Sequence, residues 1–180
     1  MPKALPRSFY NRSPVVVAQD LLNKVIVVDN AGGRIVETEA YEGETDPACH
    51  AYHRRTPRNE VMYGPAGHLY VYFSYGMHWC ANVVTSPPEI ANAVLIRAVV
   101  PVSGIEVIRD RRAGRRDGDL TNGPGKLCAA LAITGDDNGA DLLRGRVRIV
   151  DDGFPPPNAP TATSRIGITH GSELLWRFLA

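Results

Sequence analysis

Val25-Ile26-Val27-Val28-Asp29-Asn30-Ala31-Gly32-Gly33-Arg34-Ile35-Val36-Glu37-Thr38-Glu39-Ala40-Tyr41 reads as strand, turn, strand. Val25 to Val28 is a β-branched run, Asp29 to Gly33 supplies turn residues, and Arg34 to Tyr41 resumes an extended pattern. Its period of two sends Glu37, Glu39 and Tyr41 to one face, opposite Val36, Thr38 and Ala40. A carboxylate thus stands beside an aromatic ring at the far end of a hairpin. Leu69 to Phe73, His78 to Thr85 and Ala93 to Val100 read as three further strands. Tyr75-Gly76-Met77 interrupts the first two, which puts Tyr75 near a hairpin tip, and Ser86-Pro87-Pro88-Glu89 is a loop. Strands in hairpin order outnumber helices, so the chain is expected to form one α+β domain, residues 1–180, around an antiparallel sheet.

Helices are signalled at three places. Ser13-Pro14 opens one over Val15 to Asn23, with proline at its first position. Ser103 and Glu106 have capping-box spacing and start a second, running to about Arg112. Asn122-Gly123-Pro124-Gly125-Lys126 opens a third over Leu127 to Ile133. Between Glu42 and Gly67 lies a long polar insertion with one helical turn near Asn59 to Tyr63, and such loops tend to carry function. Late strands are expected at Arg146 to Val150 and Ser164 to Ile168, separated by a proline-rich connector at 155–160.

Composition narrows the class. With 180 residues, 44% of them apolar, the chain can bury one core but not two ordinary ones. No apolar run is long enough to span a bilayer, and the first residues lack a signal-peptide core, so a cytoplasmic protein is expected, nucleoid-associated if bacterial. Three widely spaced cysteines suggest neither a disulfide framework nor a zinc cluster. The net charge is only +1, yet residues 50–126 carry ten basic and six acidic side chains, an excess that suits phosphate contact.

Single residues admit bland explanations. Glu39 alone is most simply a solvated carboxylate, and strand tyrosines usually pack. Arg97, inside the apolar run Ala93 to Val100, needs a partner, because an unpaired buried charge is strongly unfavourable. Asp46, Cys49, His50 and His53 raise the question of a metal site, but their spacing does not match a closed tetrahedral centre. Gly123 to Lys126 resembles an anion-binding helix start yet lacks the full P-loop pattern.

The motifs 36–41, Arg55-Thr56-Pro57-Arg58-Asn59, Gly67-His68-Leu69-Tyr70-Val71-Tyr72, Tyr75-Gly76-Met77, Leu95-Ile96-Arg97-Ala98 and Gly123 to Cys128 occur in one order. Together they resemble the alkyladenine (3-methyladenine) DNA glycosylase family, from about Ser8 to the C-terminus. The resemblance implies a curved antiparallel sheet flanked by helices. It also implies a monofunctional, cofactor-free and metal-free monomer that flips alkylated or deaminated purines, such as 3-methyladenine and hypoxanthine, out of double-stranded DNA. Hydrolysis of the N-glycosidic bond would follow. Position by position, Glu39 matches the general base and Arg97 the arginine that helps hold its water. Tyr41, Tyr72 and His50 match the pocket for the flipped base, and Asn82 the residue that disfavours the exocyclic amine of guanine. Tyr75 matches the side chain inserted into the duplex, with Met77 and His78 on the same tip, and Arg55, Arg58 and Lys126 fall in motifs facing DNA. One departure is Leu175 before Trp176-Arg177-Phe178, which bears on how the last segment docks.

The chemistry suits these residue types. Breaking a purine–sugar bond develops positive charge on the sugar, which a carboxylate stabilises while it takes a proton from water. Extruding a base costs a few kcal/mol, and stacking on aromatic rings returns about 1–3 kcal/mol per base. No lysine lies in the Glu39 or Tyr72 motifs, which disfavours Schiff-base chemistry. Two alternatives are a non-catalytic nucleic-acid-binding module of similar fold and a metal-dependent hydrolase using Asp46, His50 and His53.

Overall fold

A computed structural model describes residues 2–180. The opening hairpin forms between β2 (Val25–Val28) and β3 (Ala31–Glu42), following β1 (Lys3–Ala4), α1 (Arg7–Tyr10) and α2 (Pro14–Leu21). Its turn is tighter than expected: Val28 pairs with Ala31, so only Asp29 and Asn30 lie outside the ladder, Asp29 at φ 53°. Gly32 and Gly33 belong to β3. A side chain at Gly33 would approach Val99 Cγ2 to 2.5 Å, so close strand packing, not turn geometry, requires this glycine.

The chain continues through β4 (Leu69–Ser74), β5 (His78–Thr85) and β6 (Asn92–Ser103), then α3 (Ile105–Arg111) and α4 (Pro124–Leu131). It closes with β7 (Val147–Asp151), β8 (Thr161–Thr163) and β9 (Arg177–Leu179). Among the described residues the strands form one sheet of order β1-β7-β2-β3-β6-β5-β4, with β9 attached to β3 and β8 to β9. Every strand pairing is antiparallel. The expected α+β class with a curled antiparallel sheet is the one observed.

Strand β3 organises the sheet. Register shifts around Glu37 break its ladder with β6 and bend the strand. Its first half pairs with β2, whereas Glu37, Thr38 and Glu39 pair with β9. The C-terminal segment is thereby docked along the motif, with Leu175 outside the pairing. Thr38 donates to the Ala18 carbonyl of α2, and Ala40 joins the main core with Leu21, Ile96 and Leu127. On the opposite side, Tyr41 and Tyr72 pack on a smaller cluster of Cys49, Met62, Tyr63, Tyr70 and Ala93.

Local signals fail where the sheet claims the backbone. Ser103 is the last residue of β6, paired with Gly32, and caps nothing; α3 starts after Gly104, which takes φ 64°. Ser13 makes no side-chain cap either, although Pro14 does occupy the first turn. Helix α2 ends at Leu21 because Asn23 turns left-handed at φ 67°, and Ala132 ends α4 in the same way at φ 54°. Residues 164–168 do not form the expected strand: Arg165 is drawn inward, and the neighbouring strand is Thr161–Thr163.

Gly104 makes a direct test of this packing. A Cβ there would collide with the Asn30 carbonyl oxygen and the Ala31 Cα, and positive φ penalises it further. Gly104→Ala is expected to lower unfolding free energy by about 2–4 kcal/mol, measured as a shift in the urea midpoint.

Candidate active site

Cross-strand register assembles the floor of a cavity. Tyr70 opposes Asn82, Asn82 opposes Leu95, and Leu95 opposes Glu39, on four adjacent strands. Directly opposed residues share a face of a sheet, so β4, β5, β6 and β3 project these side chains to one side. Tyr72, Arg97 and Tyr41 lie two residues further along their strands and join them. The cavity so formed has a volume of about 470 Å³ and is walled by Tyr41, His50, Tyr72, Asn82, Arg97 and Ile166.

Glu39 sits under this cavity with no solvent exposure. Its Oε2 accepts from the Tyr41 hydroxyl at 2.8 Å and from Arg97 Nη1 at 3.3 Å, and its Oε1 from the Ile166 backbone N–H at 2.7 Å. A carboxylate offers about four acceptor positions, and three are occupied by protein donors. Burial works against the charge of Arg97, but Glu39 and Glu37 outweigh it and hold the guanidinium ionised. Glu37 Oε1 accepts from Arg97 Nε at 2.8 Å and from Arg177 Nε at 2.6 Å. The solvated-carboxylate reading of Glu39 is excluded, and the partner that Arg97 requires is identified as this pair of glutamates.

The aromatic wall is uncharged. Burial and the negative charge of Glu39 push the Tyr41 phenol far above its ordinary value, so it remains a donor. Tyr72 is raised chiefly by burial, and Tyr70 is pushed up to about 12 by the same cause. His50 moves the other way: burial first, then the Arg58 charge, lower its pKa and favour the neutral ring. Its Nδ1 lies 3.0 Å from the Tyr70 hydroxyl, and its ring meets Tyr72 edge-on at 4.5 Å between centroids. The Asn82 amide donates to the Tyr70 carbonyl at 3.2 Å. Across the opening, the Arg58 guanidinium covers the outer part of Tyr72 at 5.4 Å from the ring centroid.

At the rim the β4–β5 hairpin carries Tyr75 and Met77, which are 80% and 72% exposed. Tyr75 adopts φ 50°, a strained conformation for an aromatic residue, and the Met77 N–H closes the turn on the Ser74 carbonyl. His78 lies where the tip meets the cavity. Two basic residues expected to face DNA hold ion pairs within the chain. Arg55 pairs with Glu60 and Glu89 away from the cavity, and Lys126 bonds Asn122 at 2.7 Å and Asp119 at 3.3 Å.

Three features escaped the sequence reading: Arg165, the Ile166 N–H and Arg177. A charged residue next to Ile166-Gly167-Ile168 was the available signal, of the same kind that singled out Arg97. Asp46, weighed as a metal ligand, instead accepts both Arg165 Nη groups, and both side chains are fully buried. Among the described residues no group of three His, Cys, Asp or Glu side chains is arranged to hold a metal ion.

Comparison with known proteins covers the same length of chain. The family model described as "Methylpurine-DNA glycosylase (MPG)" matches residues 8–180. A protein of Carboxydothermus hydrogenoformans is 50% identical over 179 residues, covering 97% of this chain and 93% of its own. One of Burkholderia cenocepacia is 49% identical over 178 residues, covering 97% and 86%, and one of Agrobacterium fabrum 47% over 175, covering 97% and 87%. All three carry the name "Putative 3-methyladenine DNA glycosylase". Family match and relatives agree along nearly the entire sequence, and on that ground the chain belongs to the methylpurine-DNA glycosylase family, DNA-repair hydrolases acting on N-glycosyl bonds.

Proposed function

We propose that the cavity receives a damaged purine turned out of double-stranded DNA and that Glu39 activates the water that hydrolyses its N-glycosidic bond. The observation that carries this reading is a fully buried carboxylate, anchored by three protein donors, beneath a cavity lined by Tyr41, Tyr72 and His50. Tyr41, Tyr72 and His50 offer stacking surface to a flat ring, worth about 1–3 kcal/mol per base. The acceptor position of Glu39 that has no protein donor takes the proton from a water admitted beneath the cavity lining as that water attacks the sugar, and the carboxylate's charge stabilises the oxocarbenium character that develops. Alkylated purines, 3-methyladenine among them, are good leaving groups. Hypoxanthine, a neutral deaminated purine, fits the same walls but needs a proton on departure. Asn82, fixed by the bond from its amide to the Tyr70 carbonyl, is the side chain that we read as disfavouring the exocyclic amine of guanine.

At the rim of the cavity, the exposed Tyr75 fills the space left by the extruded nucleotide, flanked by Met77 and His78 on the same turn. Arg58, beside the opening, meets the phosphates of the damaged strand; Arg55 and Lys126 approach the duplex from their present ion pairs. A monomer acting without a metal suffices for this reading, because the chain supplies the base and the charge stabilisation and solvent supplies the water.

Glu39→Gln keeps the shape of the cavity while removing the base and its charge. Release of 3-methyladenine from methylated duplex, quantified by chromatography under single-turnover conditions, is expected to fall by a factor of about 10²–10⁴. Binding to the same duplex should be retained; a variant that releases base at the normal rate removes Glu39 from this role. Excess chelator is expected to leave the rate unchanged, and a loss restored by a divalent cation would favour the metal-dependent reading instead.

His50 supplies a pH test. Its folded-state pKa lies below the unfolded value of about 6.5, so the unfolded chain binds the proton more readily. Stability contributed at neutral pH is therefore lost as pH falls below about 6.5. An NMR titration of the ring is expected to have its midpoint below that of an unperturbed histidine.

A further inference from the structure

We propose that Asp46 and Arg165 form a positioning pair for the reaction, a role distinct from general support of the fold. This rests on the reading of Glu39 as the base. Neither residue touches the cavity's contents; both act through atoms that do.

The pair is unusual in its surroundings. Both side chains have no solvent exposure, and the bond is bidentate, with Arg165 Nη2 2.8 Å from Asp46 Oδ1. The guanidinium lies between two aromatic rings, 4.9 Å from the Tyr41 centroid and 5.3 Å from that of Trp176. Its Nη1 also donates to the Ala40 carbonyl at 3.0 Å and its Nη2 to the Gly171 carbonyl at 3.3 Å. Asp46 in turn accepts from the backbone N–H groups of Glu42 and Ala48, two residues before His50. One ion pair therefore ties together three walls of the site: the Ala40–Tyr41 end of β3, the loop leading to His50, and the segment whose next residue, Ile166, donates to Glu39.

Energetics favour a geometric role. Desolvating two charges costs several kcal/mol per ion, and an apolar replacement of a buried ion pair is often as stable or more so. Hydrophobic packing could hold the same three segments, but without fixing their distances as a planar, bidentate and stacked guanidinium does. The sensitive distance is the 2.7 Å contact from the Ile166 N–H to Glu39 Oε1. A segment released from Arg165 lets that donor withdraw, and the carboxylate loses one of three contacts that set its plane. Tyr41, whose ring rests on the same guanidinium and whose hydroxyl holds the other carboxylate oxygen, shifts with it. A misplacement of about 1 Å at a catalytic group is enough to cost roughly a hundredfold in rate.

The test compares Arg165→Met, Asp46→Asn and the double variant with Glu39→Gln and Lys24→Met. Lys24 is a nearly buried cation paired with Asp151 outside the site, and controls for loss of an ion pair as such. Single-turnover release of 3-methyladenine from methylated duplex is measured against enzyme concentration, at a temperature where circular dichroism shows each variant folded. A positioning pair predicts that Arg165→Met lowers the rate at saturating enzyme at least tenfold while the half-saturating concentration stays within threefold. Asp46→Asn should lose rate in the same sense, and the double variant should lose no more than Arg165→Met, since the two act as one unit. Lys24→Met should melt at lower temperature and retain its rate. Should Arg165→Met not fold, Asp46→Asn, which keeps one of the two oxygens that accept from Glu42 and Ala48, gives the reading alone. A folded Arg165→Met or Asp46→Asn with a rate within twofold of the parent overturns the proposal, as does a change confined to half-saturation. If Glu39→Gln releases base normally, the reading of Glu39 itself fails, and the positioning role fails with it.

Discussion

Burying a carboxylate on β3 is the constraint around which the rest of the molecule is arranged. An ionised side chain removed from water is strongly unfavourable unless donors replace its hydration. Glu39 finds three, from β3 itself, from β6 and from the stretch before β9. Those segments must meet at one point to within a few tenths of an ångström. The antiparallel register supplies two of them, because Glu39 and Leu95 are cross-strand partners and Arg97 stands two residues beyond Leu95. The third arrives only after the chain has returned across the sheet.

Compensating that charge recruits others. Arg97, placed against Glu39, is shared with Glu37, and Glu37 is shared with Arg177 of β9. Asp46 and Arg165 form a second pair close by. Three carboxylates thus face three guanidiniums in a region with little water, where hydrogen bonds are stronger and any missing partner is more costly. Apolar packing elsewhere supplies the stability: the main core joins α2, α4 and the inner face of the sheet through residues such as Leu21, Ile26, Ile96 and Leu131. Polar groups concentrate on the other face, where a cavity of about 470 Å³ opens between the strands while the strained Tyr75 turn projects from its rim.

Much of this was legible because the signals are local. Period-two alternation locates strands, and it put Glu39 and Tyr41 on one face. Proline at a first helical turn located α2 and α4, and Tyr75-Gly76-Met77 marked a tip. Arg97 inside an apolar run announced a buried partner without naming it. Local signals failed when long-range pairing claimed the same atoms. Ser103 has the chemistry of a cap, yet its backbone is committed to Gly32; Gly32 and Gly33 have the chemistry of a turn, yet they are rungs opposite β6.

The sequence by itself determined strands β2 to β7, helices α2 to α4, the α+β class and the family, since these depend on residue types at short spacing and on the order of motifs. Tertiary structure alone decided that Glu39 is fully buried, that Asp46 serves Arg165, and which donors hold the Glu39 carboxylate. The physical reason is separation along the chain: Ile166 lies 127 residues from Glu39, and Arg165 119 from Asp46. No local periodicity encodes such a contact. It exists because charges withdrawn from water must find partners, and only the assembled sheet determines which partners are within reach.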